Sequence, residues 1–317
     1  MAVNVGSIAL SNGVKLPLLG LGTWLANDAS QLKVALRAAL DAGYRYIDTA
    51  ALYKNEDVIG EVLQEYYNAG KFKREDVFIT TKLPFYGHSH VDQFLKKSLE
   101  KLKTDYIDLY LVHTPLPTKV KADLSQPEAD AEGKFVPELV PLIDTWRAVE
   151  KQYKSGTVKA IGVSNFNEKQ LQELYNQAEI KPQNLQVECH ILFPQNELVA
   201  LCKKLNISVT SYGTLGSPGS IAIRAGPDGN LFSHPLVVEL AKKHNKTPAQ
   251  ILLRQMVQRG ISTIPKSTNP GRVKENIDVF DFKISDEYMK RFDEIKERLR
   301  LYPFGFARHH PWYPFEQ

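Results

Sequence analysis

The chain has 317 residues, 43% of them apolar and 24% charged, a composition that supports a large buried core in a globular protein. Its 40 Lys and Arg against 36 Asp and Glu leave a net charge of +4 with the signs interspersed, which excludes a basic stripe for nucleic acid. The longest apolar stretch, Leu16 to Leu25, is broken by Pro17, Gly20 and Gly22 and cannot span a bilayer, and no basic-then-apolar leader opens the sequence, so a cytosolic protein is expected.

Ser7 to Leu18 reads as two short strands around Asn12-Gly13, a strong two-residue hairpin signal. Leu19 to Trp24 is the first buried strand, its glycines allowing close backbone approach. A helix follows, in which Asp28 and Gln31 can form a capping box, Leu32, Ala35, Leu36, Ala39 and Leu40 recur on one face, and Gly43 marks the end. The alternation then continues. Strand Tyr46 to Thr49 precedes a helix near Glu56 to Tyr67, strand Val77 to Lys82 precedes His90 to Leu102, and strand Ile107 to His113 precedes Leu142 to Lys154. Further strands fall near Ala160 to Ser164, Leu185 to His190, Ser208 to Tyr212 and Ser262 to Lys266. The helix after the seventh starts on Thr247, with Pro248 in its first turn and Gln250 completing a box.

Eight strands, each followed by helical periodicity, close more naturally into an α/β (β/α)8 barrel, a TIM barrel, than into an open sheet. No linker divides the chain, so one domain over residues 1–317 is expected, with the N-terminal hairpin as a cap. Cys189 and Cys202 lack metal-ligand spacing, and no metal is expected. They could pair, but reduced thiols suit the rest of the sequence better. Three long segments, Thr114 to Pro141, Gly213 to Pro235 and Arg300 to Gln317, lack periodicity. Long active-site loops are their expected role, because the first two follow strand C-terminal ends.

Three strand-like runs end in chemistry: Asp48 with Tyr53 just beyond it, Lys82, and His113. If these strands are parallel neighbours, the four side chains meet on one face. A phenol ordinarily keeps its proton until about pH 10. An ammonium beside it lowers that value and a carboxylate can hold the ammonium in place, so Tyr53, Lys82 and Asp48 have those roles available. His113 can donate to a carbonyl oxygen. Each residue alone has an ordinary structural explanation, whereas four at matching strand ends favour catalysis. Tyr67 and Lys71 share the spacing of another reductase pair but sit at the end of a polar helix, without a glycine-rich N-terminal loop, and are read as coincidence.

This ordered set resembles the aldo-keto reductase family, of the aldose reductase and the steroid and carbonyl reductase kind. The likeness extends from Gly20-Leu21-Gly22-Thr23-Trp24 through Gly162-Val163-Ser164-Asn165-Phe166 to Ile264-Pro265-Lys266-Ser267. It implies reduction of an aldehyde or ketone to the alcohol by hydride transfer, with Tyr53 as general acid, and hence a cofactor. The Rossmann fingerprint fails, since Leu25 stands where its third glycine belongs. By likeness, Ser164, Asn165 and Gln186 would hold a nicotinamide carboxamide, and Tyr212 would stack on its ring. Thr23, Trp24, Asp48, Gly213 and Leu215 join that set, and Ser217 would touch the pyrophosphate. Lys266, Ser267, Thr268, Asn269 and Arg272, with Glu275 and Asn276 one turn on, form a cationic cluster before a helix, which implies NADPH rather than NADH.

Departures from the family pattern concern the substrate. Trp24 matches a pocket tryptophan and Leu52 neighbours Tyr53, but Thr114 and Pro84 stand where relatives often carry tryptophan. A wide, apolar pocket is therefore expected, lined by Trp24, Leu52, Tyr53, His113 and Thr114, by Ile221 or Ile223, and by tail aromatics such as Phe304, Phe306, Trp312 or Tyr313. The tail could equally be a surface strap. Bulky substrates follow: a steroid ketone, a lipid or aromatic aldehyde, or a quinone. A monomer is expected by analogy. The rival reading is a non-catalytic barrel that binds NADPH as a regulatory or structural protein.

Overall fold

The computed structural model describes residues 5–220 and 230–315. The sequence candidates Ile221 and Ile223 lie outside the described residues.

The hairpin forms as the turn signal demands. Strand β1 (Ser7–Ala9) pairs antiparallel with β2 (Lys15–Pro17), Ser7 opposite Pro17, and Gly13 takes φ +88° in the turn. Leu10 and Leu16 are buried against Tyr46, Phe78, Leu109 and Leu111, so the hairpin caps the barrel interior.

Among the described residues eight strands follow, each after the first parallel to its predecessor: β3 (Leu21–Gly22), β4 (Tyr46–Asp48), β5 (Phe78–Leu83), β6 (Leu109–Val112), β7 (Ile161–Ser164), β8 (Asn184–Glu188), β9 (Ser208–Tyr212) and β10 (Ser262–Thr263). The sheet closes on itself. Leu19 bridges Thr263 and Gly22 bridges Lys266, and the N–H groups of Gly20 and Gly22 donate to Thr263 O (2.8 Å) and Pro265 O (3.1 Å). Only glycine fits this seam, because a Cβ on Gly22 would lie 2.5 Å from the Ile264 carbonyl oxygen. The eighth strand is shorter than Ser262 to Lys266: past Thr263 it keeps only the isolated Gly22–Lys266 bridge.

Ten helices are present among the described residues: α1 (Ala29–Ala42), α2 (Glu56–Asn68), α3 (Val91–Leu102), α4 (Leu142–Lys154), α5 (Glu168–Gln177), α6 (Asn196–Lys204), α7 (Pro235–His244), α8 (Pro248–Gln258), α9 (Pro270–Ile277) and α10 (Asp286–Asp293). The apolar stripe of α1, Leu32, Ala35, Leu36, Ala39 and Leu40, is wholly buried. Each leucine in it contributes about 1.5–3 kcal/mol of transfer free energy. Gly43 ends α1 at φ +104° and donates to Ala39 O and Leu40 O. Asp28 caps the helix by accepting the Gln31 N–H, but the Gln31 side chain turns to the other Asp28 oxygen, so only half of the expected box forms. At α8 the full box is present, Thr247 and Gln250 each accepting the other's backbone N–H.

The long segment after β6 is less irregular than its sequence indicates. It folds into a ladder of isolated bridges, Thr118 to Pro137, Val120 to Pro127 and Ala129 to Phe135. The C-terminal tail lies across it, the His310 imidazole meeting Pro117 O at 2.8 Å. The tail's far end is held by the α5 capping-box residues. Asn167 donates to Pro314 O (3.0 Å) and Gln170 to Trp312 O (2.9 Å). Cys189 and Cys202 are both free and buried. No helix among the described residues is long and apolar enough to cross a membrane.

Candidate active site

The C-terminal ends of β4, β5 and β6 bring the four candidate residues together. Asp48 ends β4, the 3-10 turn Ala51–Tyr53 that follows carries the phenol, Lys82 lies near the end of β5, and His113 follows β6. Lys82 Nζ is fully buried and donates to Asp48 Oδ1 (2.6 Å), Thr49 O (2.9 Å) and Tyr53 OH (3.3 Å), so its three protons meet three acceptors. The second Asp48 oxygen accepts from Gln186 Nε2 at 2.7 Å. The Tyr53 and His113 rings meet edge to face, centroids 5.7 Å apart.

Electrostatics correct one expectation. Burial raises Tyr53 well above the ordinary phenol value, and the Asp48 charge adds to the rise. The ammonium does not offset this, because Asp48 already matches its charge at 2.6 Å. Burial also pushes Lys82 down and Asp48 up, each restrained by the other. His113 is held well below 6.5, first by burial and then by the Lys82 charge, so its imidazole is neutral. Its Nδ1 is buried without a hydrogen-bond partner among the described residues. The resting state is thus a protonated phenol beside a neutral imidazole.

Tyr53 and His113 open into a cavity of about 920 Å³. Its lining takes in the expected Thr23, Trp24, Asp48, Leu52 and Thr114 on one side, and Ser164, Asn165, Gln186, Tyr212, Gly213, Leu215 and Ser217 on another. Lys82 is sealed behind the wall and touches the cavity lining through Asp48 and Tyr53. The expected tail residues Phe304 and Phe306 line the mouth. Trp312 and Tyr313 do not: the Trp312 ring lies by His310 and the Tyr313 ring by Phe315.

Sequence reading passed over Phe85, three residues beyond Lys82, and Tyr302, whose ring stands edge-on to Trp24 at 5.4 Å. Position after a strand C-terminal end was the signal available for Phe85. For Tyr302 there was only its place in a tail rich in aromatics. Phe85 packs against Phe135 of the bridged loop and near Phe306, giving the mouth an aromatic wall.

The middle of the cavity is a fixed polar network. Ser164 donates to Gln186 O (2.8 Å), and Asn165, at φ +63°, donates to His113 O (2.9 Å) and Ser164 Oγ (3.1 Å). Asn165 in turn accepts from Tyr212 OH (2.7 Å). At the far end, Asn269 caps α9 by accepting the Arg272 N–H, with Ser267 Oγ accepting the Asn269 N–H. Glu275 is engaged by Thr247 Oγ1 at 2.7 Å, and Thr268 and Asn276 complete the lining. Among the described residues, neither Lys266 nor Arg272 has a carboxylate within 4.0 Å, and partial burial pushes the Lys266 amine below its usual value. Two unmatched cations at a helix N-terminus can attract an anion such as a phosphate group.

A sequence model of the Aldo/keto reductase family matches residues 18–297. The chain belongs to the aldo-keto reductase family. Aldo-keto reductase family 1 member A1 of Bos taurus is 44% identical to it over 297 residues, covering 93% of this chain and 90% of the relative. Member C15 of Rattus norvegicus is 40% identical over 315 residues, covering 98% and 97%. Among solved structures, the aldose reductase from Schistosoma japonicum is similar with a TM-score of 0.89 at 38% identity, covering 98% of this chain and 99% of that one. Aldo-keto reductases are oxidoreductases of small carbonyl compounds that generally use a nicotinamide cofactor. The residues of this chain fit such a group, since the unmatched Lys266 and Arg272 suit its phosphates and the cavity runs from them to Tyr53.

Proposed function

We propose that this aldo-keto reductase converts an aldehyde or ketone to the alcohol with NADPH, Tyr53 acting as the general acid. The observation that carries the reading is the Lys82 ammonium bridging Asp48 and Tyr53 directly behind a cavity that His113 also lines. Lys266 and Arg272, with Ser267, Thr268 and Asn269, would hold the phosphate groups. Ser164, Asn165 and Gln186 would orient the nicotinamide beside Tyr212. When bound, NADPH supplies the hydride.

The chain's own work is on the oxygen. Neutral His113 donates a hydrogen bond to the carbonyl oxygen and orients it toward Tyr53. As that oxygen gains negative charge it becomes far more basic than a phenolate, so Tyr53 gives up its proton even though burial holds that proton tightly at rest. The Lys82 hydrogen bond, 3.3 Å long, then stays on the phenolate oxygen until solvent restores the proton.

The substrate is a bulky, apolar carbonyl compound, such as a steroid ketone, a lipid or aromatic aldehyde, or a quinone. Support comes from the aromatic wall of Phe85, Phe304 and Phe306 around the cavity. The reading includes a cytosolic monomer. Both cysteines are free, and only Val34, Leu139 and Phe306 are exposed large apolar residues among those described. The four polar groups stand together intact, which favours an enzyme over a non-catalytic NADPH-binding barrel.

Tyr53→Phe tests this. Turnover, followed by loss of reduced-nicotinamide absorbance, should fall by about 100- to 10,000-fold, the usual worth of a positioned acid, while NADPH still binds in a fluorescence titration. Unchanged turnover would remove Tyr53 from its role, and no oxidation of NADPH with any of a panel of carbonyls would favour the binder.

A further inference from the structure

One buried carboxylate at the rim takes no part in the chemistry above. Glu188 ends β8 with its side chain fully enclosed, and two backbone N–H donors and an imidazole nitrogen converge on it. The Leu301 N–H meets Oε1 at 2.6 Å, the Tyr302 N–H meets Oε2 at 2.9 Å, and His190 Nε2 lies 3.0 Å from Oε1. A carboxylate sits so deep only where donors replace the water it has lost. Leu301 and Tyr302 belong to no helix or strand, so this side chain does for their N–H groups what a neighbouring strand would do.

The consequence falls on Tyr302. The residue is 6% exposed, and its ring stands edge-on to Trp24 and 5.8 Å from the Tyr212 ring. Tyr212 is the β9 residue in register with Glu188. One rung of the barrel therefore carries both the carboxylate and the ring against which the tail is pressed. Trp24, Tyr212 and Tyr302 all line the cavity.

We infer that Glu188 is a positioning residue: by gripping two consecutive backbone N–H groups it fixes the Tyr302 ring against Trp24 and Tyr212, and so sets the width of carbonyl compound the cavity holds well. A carboxylate is suited to this because both of its oxygens accept. Glutamine would turn an –NH₂ group toward one of the two N–H donors. The kinetic consequence rests on the reductase reading, but the grip itself does not.

Two measurements test it. In the wild-type protein without substrate, amide hydrogen exchange followed by NMR should show the Leu301 and Tyr302 N–H groups protected about 100-fold or more beyond those of neighbouring Gly305 and Phe306. Equal exchange would overturn the grip whatever the enzyme does, and this arm needs no variant to fold. In kinetics, Glu188→Gln should raise KM for a flat polycyclic ketone about tenfold while kcat/KM for propanal stays within about twofold, and on a Tyr302→Ala background it should add less than about twofold. An equal loss for both substrates, or full additivity with Tyr302→Ala, would show a merely structural role and sink the inference. If wild-type protein oxidises NADPH with no carbonyl, the reductase reading fails and the exchange result still decides the grip.

Discussion

Lys82 is a charge held wholly by the protein, three protons on three oxygens with no solvent contact. Replacing it with methionine leaves the Asp48 carboxylate buried with Gln186 as its remaining side-chain donor. Lys82→Met should therefore cost about 3–5 kcal/mol of stability in urea unfolding, the cost of an unpaired buried charge. Adding Asp48→Asn should recover part of that stability and none of the turnover; a single variant as stable as wild type would mean that the pair is not charged. The residue types and their strand-end positions made this cluster legible in the sequence. The direction of the Tyr53 shift was not legible, because it depends on how completely the phenol is buried and on where the Lys82 charge is spent.

Elements were legible where the sequence carries local signals and less so where tertiary contacts decide. Helix α4 spans the residues its apolar period marks, and α8 starts on its capping box. The segment after β6 hides its ladder because prolines at 115, 117, 127, 137 and 141 interrupt any alternation, and two of them serve as bridge partners. The turn between β5 and α3 is fastened by His88, whose Nδ1 meets Thr145 Oγ1 of α4 at 3.1 Å. Burial pulls the His88 pKa from 6.5 down to about 3. The unfolded chain then binds a proton that the native state refuses. Stability from this group is complete above pH 6.5 and is lost as pH falls from there toward about 3. Around pH 4–5 the slope should be up to about 1.4 kcal/mol per pH unit. His88→Gln should flatten the pH dependence of urea unfolding in that window, and an unchanged slope would mean that His88 is protonated in the native state.

At the scale of the molecule, eight strands in sequence order were countable, and the closure was the natural use of eight. The seam itself depends on backbone approach that no periodicity encodes. Gly22→Ala would press a methyl group to 2.5 Å from Ile264 O, where the first and last strands join beside the cavity. It should destabilise the barrel by about 1–3 kcal/mol, as overpacking does, measured by urea unfolding. A neutral result would show that the seam widens freely. The C-terminal tail has the opposite character. It is moored at 301–302 by a side chain of β8 and at 312–314 by side chains that cap α5. Between those moorings, residues 303–309 form a brim outside the strand ladders. Such a brim can be rewritten without disturbing the strand ends below it, so descendants of this protein can reshape the edge of the cavity while inheriting the same barrel.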